Sequence, residues 1–117
     1  MRQAGIIAAA GVVALTEMVD RLADDHANAC HFADGLAEIP GIVVAPETVE
    51  TNIIFFGVQD GEGRIDVAAN AALTQAAAQA GALFSGGDDG RIRAITHYGI
   101  EQADVDRALA VVRRVVV

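Results

Sequence analysis

Between Gln3 and Thr16 the chain carries no charged side chain, and Ile6, Ile7, Val12, Val13 and Leu15 are spread round the whole helical wheel. A helix that is apolar on every side has no face to give to water, so it needs partners all round. A run of about a dozen residues is too short to cross a bilayer, which takes about 20. A secretory leader is the rival reading, since Arg2 followed by Ala4–Leu15 has the right layout. Against it, no small-x-small cleavage site precedes Thr16-Glu17, and the helical pattern runs straight on. The segment is expected to be a helix start buried against another domain or subunit.

From Thr16 to about Ala37 the pattern becomes amphipathic, with Leu15, Met18, Leu22, Ala29, Ala33 and Leu36 on one stripe. Glu17, Asp20, Arg21, Asp24, Asp25 and Asp34 occupy other faces. One long helix is expected, stopped by Pro40-Gly41. His26, Cys30 and Asp34 stand four apart on one face with His31 adjacent, which raises a metal site. A closed zinc site wants four ligands from separated elements, and the chain has no second His/Cys cluster. The expectation is a solvated face and no metal.

Ile42-Val43-Val44 and Ile53-Ile54-Phe55-Phe56 are β-branched and aromatic runs bounded by turn residues, hence strands, and Asp60-Gly61-Glu62-Gly63 is a loop. Asp66 suits the N-cap of a helix from Val67 to about Ala80 with Gly81 at its end; Asn70, Thr74, Gln75 and Gln79 are its polar side chains. Ala82-Leu83-Phe84 reads as a short strand. Ser85-Gly86-Gly87 reads as a turn; an anion-binding nest is the alternative, but no helix opens after it.

From Arg91 to His97 polar and apolar side chains alternate, the signature of a strand. Ile92, Ala94 and Thr96 share one face, suited to a core. Arg91, Arg93, Ile95 and His97 share the other. Asp88-Asp89-Gly90 is turn chemistry ahead of the strand, and Gly99 ends it. Beyond it Val105, Ala108, Leu109, Val112 and Val116 recur at helical spacing, with acids first and arginines last to match the helix dipole. The order helix, strand, strand, helix, strand, strand, helix implies an α+β layer, a small mostly antiparallel sheet covered by helices. A free-standing ferredoxin-like module would read almost the same.

The formal charge of −8, from sixteen carboxylates against eight cations, argues against nucleic acid or anionic membrane as a partner. The single cysteine, Cys30, cannot form an internal disulfide, which fits a reducing cytoplasm. All eight cations are arginines, so the chain contains no lysine.

Three segments carry a resemblance. Arg93-Ala94-Ile95-Thr96-His97 followed by an acidic amphipathic helix, Met1–Ala10, and Pro46–Phe56 are together similar to the C-terminal third of the low-specificity threonine aldolases. The chain departs from that pattern after Thr96-His97, where Gly99 and Glu101 stand in place of an Asp and a capping Ser.

The resemblance implies the small C-terminal domain of a fold-type I enzyme dependent on pyridoxal 5'-phosphate (PLP), with residues 1–15 buried against a large N-terminal domain or another subunit and residues 16–117 forming the domain. It implies a homo-oligomeric lyase of amino-acid metabolism that cleaves a β-hydroxy-α-amino acid of the threonine type to glycine and an aldehyde. Such enzymes hold PLP as a Schiff base on a lysine. None exists here, so the chain is expected to be part of a longer enzyme, inactive alone and without a catalytic residue of its own. Arg93 matches the arginine that binds the substrate α-carboxylate, Arg2 one near the cofactor phosphate, and His97 a residue that positions others. Arg91 has no assigned role. Another fold-type I enzyme, such as a transaminase or decarboxylase, and a non-catalytic binding or assembly module are the alternatives.

Overall fold

The computed structural model describes residues 2–87 and 89–117; Met1 of the Met1–Ala10 match and Asp88 of the turn lie outside them. The charge-free run forms helix α1, Ala4–Glu17. The expected single long helix is in fact two. The backbone leaves the helical path at Met18–Arg21, and α2 runs Leu22–Ala37. No Gly or Pro marks the break, and its flanks continue the same apolar stripe, so periodicity does not register it. Its physical basis is anchorage on one side only. The buried Asp25 of α2 pairs with Arg21, and its carbonyl accepts the Thr96 hydroxyl at 2.6 Å, which ties α2 to the sheet.

No residue of α1 is buried; Ile6 is 73% exposed and Leu15 75%. The molecule is accordingly long, 54 × 28 × 26 Å, with a radius of gyration of 16.4 Å. A compact chain of this length would have about 13 Å.

Among the described residues four antiparallel strands follow, β1 (Ile42–Val44), β2 (Ile53–Val58), β3 (Ser85–Gly86) and β4 (Ile92–Ile95), in the spatial order β1-β2-β4-β3. Helices α2, α3 (Val67–Gln79) and α4 (Gln102–Val116) cover one face. The α+β architecture is the one the sequence implies. Phe32 and Leu36 from α2, Ile54 and Phe56 from β2, Leu73 from α3, Ile92 from β4, and Val105 and Val112 from α4 meet in the core. Phe32, Phe56 and Phe84 form an aromatic cluster with ring centroids 5.6–6.0 Å apart, each pair adding about 0.5–1.5 kcal/mol beyond simple burial.

The α3 start is as its sequence suggests, with the Asp66 carboxylate accepting from the Ala69 N–H at 2.9 Å. Its end explains a difference downstream. Gly81, at φ 88°, donates to the Ala78 carbonyl at 3.1 Å, and the Ala82 N–H to the Ala77 carbonyl at 2.9 Å. This left-handed cap uses up the Ala82 donor. Ala82–Phe84 therefore forms no strand: Leu83 is 83% exposed, and Phe84 turns into the aromatic cluster. Pairing begins instead at Ser85-Gly86, which the sequence suggested was a turn. Helix α4 starts cleanly despite Glu101 at its cap, because Asp104 accepts the Glu101 N–H at 2.9 Å.

Candidate functional site

Alternation along β4 works as expected. Ile92, Ala94 and Thr96 are buried under the helices, while Arg93 and Ile95 emerge on the opposite face. Among the described residues no element covers that face. Across it Arg93 lies opposite Phe55 of β2 on one side and Ser85 of β3 on the other, and Ile95 lies opposite Ile53. Beside them is a hollow of about 250 Å³ lined by Phe55, Gly86, Gly87, Asp89, Arg91 and Arg93.

The turn that forms its rim is built by the backbone. The Gly87 N–H donates to the Arg91 carbonyl at 2.7 Å, and Gly90 sits at φ 81°, where glycine is favoured. A Cβ on Gly87 would lie 3.1 Å from Asp89 Oδ1 and 3.3 Å from the Arg91 carbonyl oxygen, closer than ordinary contact, so glycine suits the turn there.

The two arginines of the hollow differ in chemical state. Arg91 is occupied: its Nη2 and Nε lie 2.6 and 2.7 Å from Asp89 Oδ2, and its guanidinium lies 4.9 Å from the Phe55 ring centre. The Arg91 side chain and backbone N–H together hold the Asp89 carboxyl below its ordinary range. Arg93, by contrast, makes no ion pair among the described residues. Its Nε donates to Ser85 Oγ at 3.1 Å, and its terminal nitrogens carry no protein partner there. A guanidinium held by Nε and unpaired at its tip can take a carboxylate or phosphate in two-point fashion.

The structure brings neither His97 nor Arg2 into this hollow. His97 is exposed, with Nδ1 2.8 Å from the Tyr98 carbonyl oxygen. Arg2 is exposed ahead of α1. The neighbour of His97 in the strand motif, Thr96, is structural: besides the bond to Asp25, it exchanges hydrogen bonds with Asn52, N–H to carbonyl at 3.0 Å and Asn52 Nδ2 to the Thr96 carbonyl at 2.7 Å. Arg21, paired with Asp25, lies 5.2 Å from the Tyr98 ring centre, and the Asp25 hydrogen bond raises its pKa further.

Three contributors escaped the sequence reading. Ser85 and Phe55 flank Arg93 through strand register, and counting outward in equal steps from Asp89 pairs Ser85 with Arg93. The third, Asn70, is a buried strut whose polarity in an alanine-rich helix was the available signal.

Among the described residues no three His, Cys, Asp or Glu side chains gather as metal ligands, and His31 instead meets Asp106 at 2.7 Å. No helix among them is long and apolar enough to cross a membrane.

An α+β domain with a helix-covered sheet and an unpaired arginine on its open face is the class of protein this geometry defines. The family model of the beta-eliminating lyases matches residues 1–59. Low-specificity L-threonine aldolase 1 of Arabidopsis thaliana is 37% identical over 110 residues, 94% of this chain and 30% of the relative. Probable low-specificity L-threonine aldolase 2 of the same plant is 34% identical over 118 residues, with the same two coverages. The low specificity L-threonine aldolase of Escherichia coli (strain K12) is 45% identical over 58 residues, 50% of this chain and 16% of the relative. The chain belongs to the beta-eliminating lyase family, with the low-specificity threonine aldolases. It spans about a third of the length of the two Arabidopsis relatives.

Proposed function

We propose that this chain supplies the substrate-carboxylate grip of a PLP-dependent lyase that cleaves a β-hydroxy-α-amino acid of the threonine type to glycine and an aldehyde, with Arg93 holding the α-carboxylate. The observation that carries this reading is the contrast between Arg91, pinned by Asp89, and Arg93, unpaired at its tip beside the same hollow. An arginine in that state gives a carboxylate two parallel charge-assisted hydrogen bonds, which fix the orientation of the substrate about Cα. Orientation matters because only one of the bonds at Cα is to be broken.

The residues present do not complete a site for the cofactor. PLP supplies the electron sink for such a cleavage when bound, and its usual anchor is a lysine, of which this chain has none. The lysine, and the groups that handle the substrate hydroxyl proton, are therefore assigned to polypeptide outside these 117 residues. This chain alone is proposed to be inactive. The uncovered apolar helix α1 supports contact with that polypeptide, in a homo-oligomer that brings Arg2 towards the cofactor phosphate. A single exposed cysteine supports a cytoplasmic setting.

The test is acetaldehyde release from L-threonine by the chain assembled with the lysine-bearing polypeptide and PLP. Activity that Arg93→Ala removes and Arg91→Ala leaves nearly intact is the expected result. Full activity in Arg93→Ala would overturn the assignment.

A further inference from the structure

We infer that Ser85 is the positioning residue for Arg93, holding the guanidinium by Nε so that it meets a carboxylate end-on with its two terminal nitrogens. The inference rests on the reading of Arg93 as a carboxylate grip and goes beyond it by saying what aims the grip and along which edge.

A guanidinium can meet a carboxylate along either of two edges, Nε with one Nη or the two Nη together. Ser85 is the β3 residue directly opposite Arg93. Its Oγ lies 3.1 Å from Arg93 Nε and 3.4 Å from the Arg93 carbonyl oxygen. The hydroxyl therefore accepts from the side chain of Arg93 while its own proton is directed to the backbone of the same residue. This closed pair of contacts turns the hydroxyl lone pair towards Nε and removes the side-on edge from use. The end-on edge remains. Stacking does not compete, because Arg91 lies over the Phe55 ring and is held there by Asp89. Among the described residues the Ser85 hydroxyl is the hydrogen-bond partner of the Arg93 guanidinium.

The position of Ser85 suits this part. Strand β3 has two residues at the sheet edge, and the following Gly86 has nothing within 4 Å of where a Cβ would stand. The hydroxyl thus adds a side-chain contact where backbone pairing is short, and it leaves the approach to Arg93 open.

The test follows the Arg93 Nε–Hε resonance in the isotope-labelled full chain during titration with acetate at constant ionic strength. The unsubstituted chain should show a saturable shift at Arg93 and slow exchange of Hε with water. Ser85→Ala should weaken acetate binding by about three- to tenfold, the span of one hydrogen bond, and speed Hε exchange. Ser85→Thr keeps the hydroxyl and should restore both. In an Arg93→Lys background there is no Nε to hold, so Ser85→Ala should change residual acetate binding little. That arm separates aiming from a general loosening of β3. Unchanged acetate binding and Hε exchange in Ser85→Ala, or an equal further loss in the Arg93→Lys background, would overturn the role of Ser85 and leave the Arg93 reading standing. No acetate response at Arg93 in the unsubstituted chain would overturn that reading and this proposal with it.

Discussion

Asn70, on α3, donates from Nδ2 to the Gly90 carbonyl at 2.8 Å, while its Oδ1 accepts the Val58 N–H at 2.7 Å. One buried amide thereby joins a helix, strand β2 and the turn that sets the Arg91–Arg93 strand. Asn70→Ala leaves the Val58 donor and the Gly90 acceptor without their partner. A fully buried group left unsatisfied costs about 1–3 kcal/mol; the Val58 and Gly90 groups are partly buried, so a loss of up to about 2–6 kcal/mol is expected on urea unfolding. Asn70→Asp keeps the acceptor for Val58 but sets a buried carboxylate oxygen against the Gly90 carbonyl, and should not rescue the loss. A loss under about 0.5 kcal/mol in Asn70→Ala would mean that water replaces both bonds.

On the proposed carboxylate grip, Arg93→Ala in the assembled enzyme should remove a charge-assisted contact of about 1.5–3 kcal/mol, which is about ten- to a hundredfold in affinity. The loss in kcat/KM should be larger, because misorientation at Cα also raises the barrier. Arg93→Lys should recover only part, since an ammonium keeps the charge without the fork. Arg91→Ala is the control and should change kcat/KM only a few-fold. Equal losses at both positions would show a diffuse positive patch in place of a single grip.

The two faces of β4 were legible in the sequence because a strand has a period of two: Ile92 and Ala94 had to go one way and Arg93 the other. What alternation could not convey is which arginine is free. That depends on Asp89 reaching back to Arg91 and on the Gly81 cap delaying the strand until Ser85, both settled by local hydrogen bonds that periodicity does not encode. The helix break at Met18–Arg21 was hidden for a related reason, since burial of α2 alone, and not a breaker residue, sets it.

Acid should reach the Asp89 and Asp60 loops late. Asp89 is held below its ordinary range by Arg91, and Asp60 by the Arg64 backbone N–H first, with the Glu62 N–H and the Arg64 side chain adding to it. A carboxylate with a depressed folded-state pKa contributes stability that is present above its unfolded value and lost as pH falls through the folded one. Both turns should therefore hold at neutral pH and loosen only below the usual aspartate range. Side-chain carboxyl carbon shifts recorded against pH check this; an Asp89 that titrates like a free aspartate would show that the Arg91 clamp does not persist in solution.

The absence of lysine makes a direct chemical prediction. Mixing the chain with PLP and reducing with borohydride should give no stoichiometric side-chain adduct by mass spectrometry, because no side chain here offers the primary amine. A single internal peptide labelled in full would refute this.

Helix α1 should drive self-association of the chain when it is alone in solution. Its fourteen residues extend about 21 Å at 1.5 Å per residue, without a charge until Glu17 and without a buried side chain. Ile6, Ile7, Val12, Val13 and Leu15 all face solvent in the single chain. Apolar patches of more than a few hundred square ångströms mark contact surfaces on soluble proteins. Sedimentation at rising concentration should show assembly. Ile7→Glu combined with Val13→Glu should reduce it, because a charge in an apolar contact loses its hydration without a partner. The same pair should shift the unfolding midpoint of the domain only slightly, since neither side chain contributes to the core around Phe56 and Leu36. A chain that stays monomeric at high concentration while the α1 amides are well protected from hydrogen exchange would count against this, for then the helix holds itself together without a neighbour.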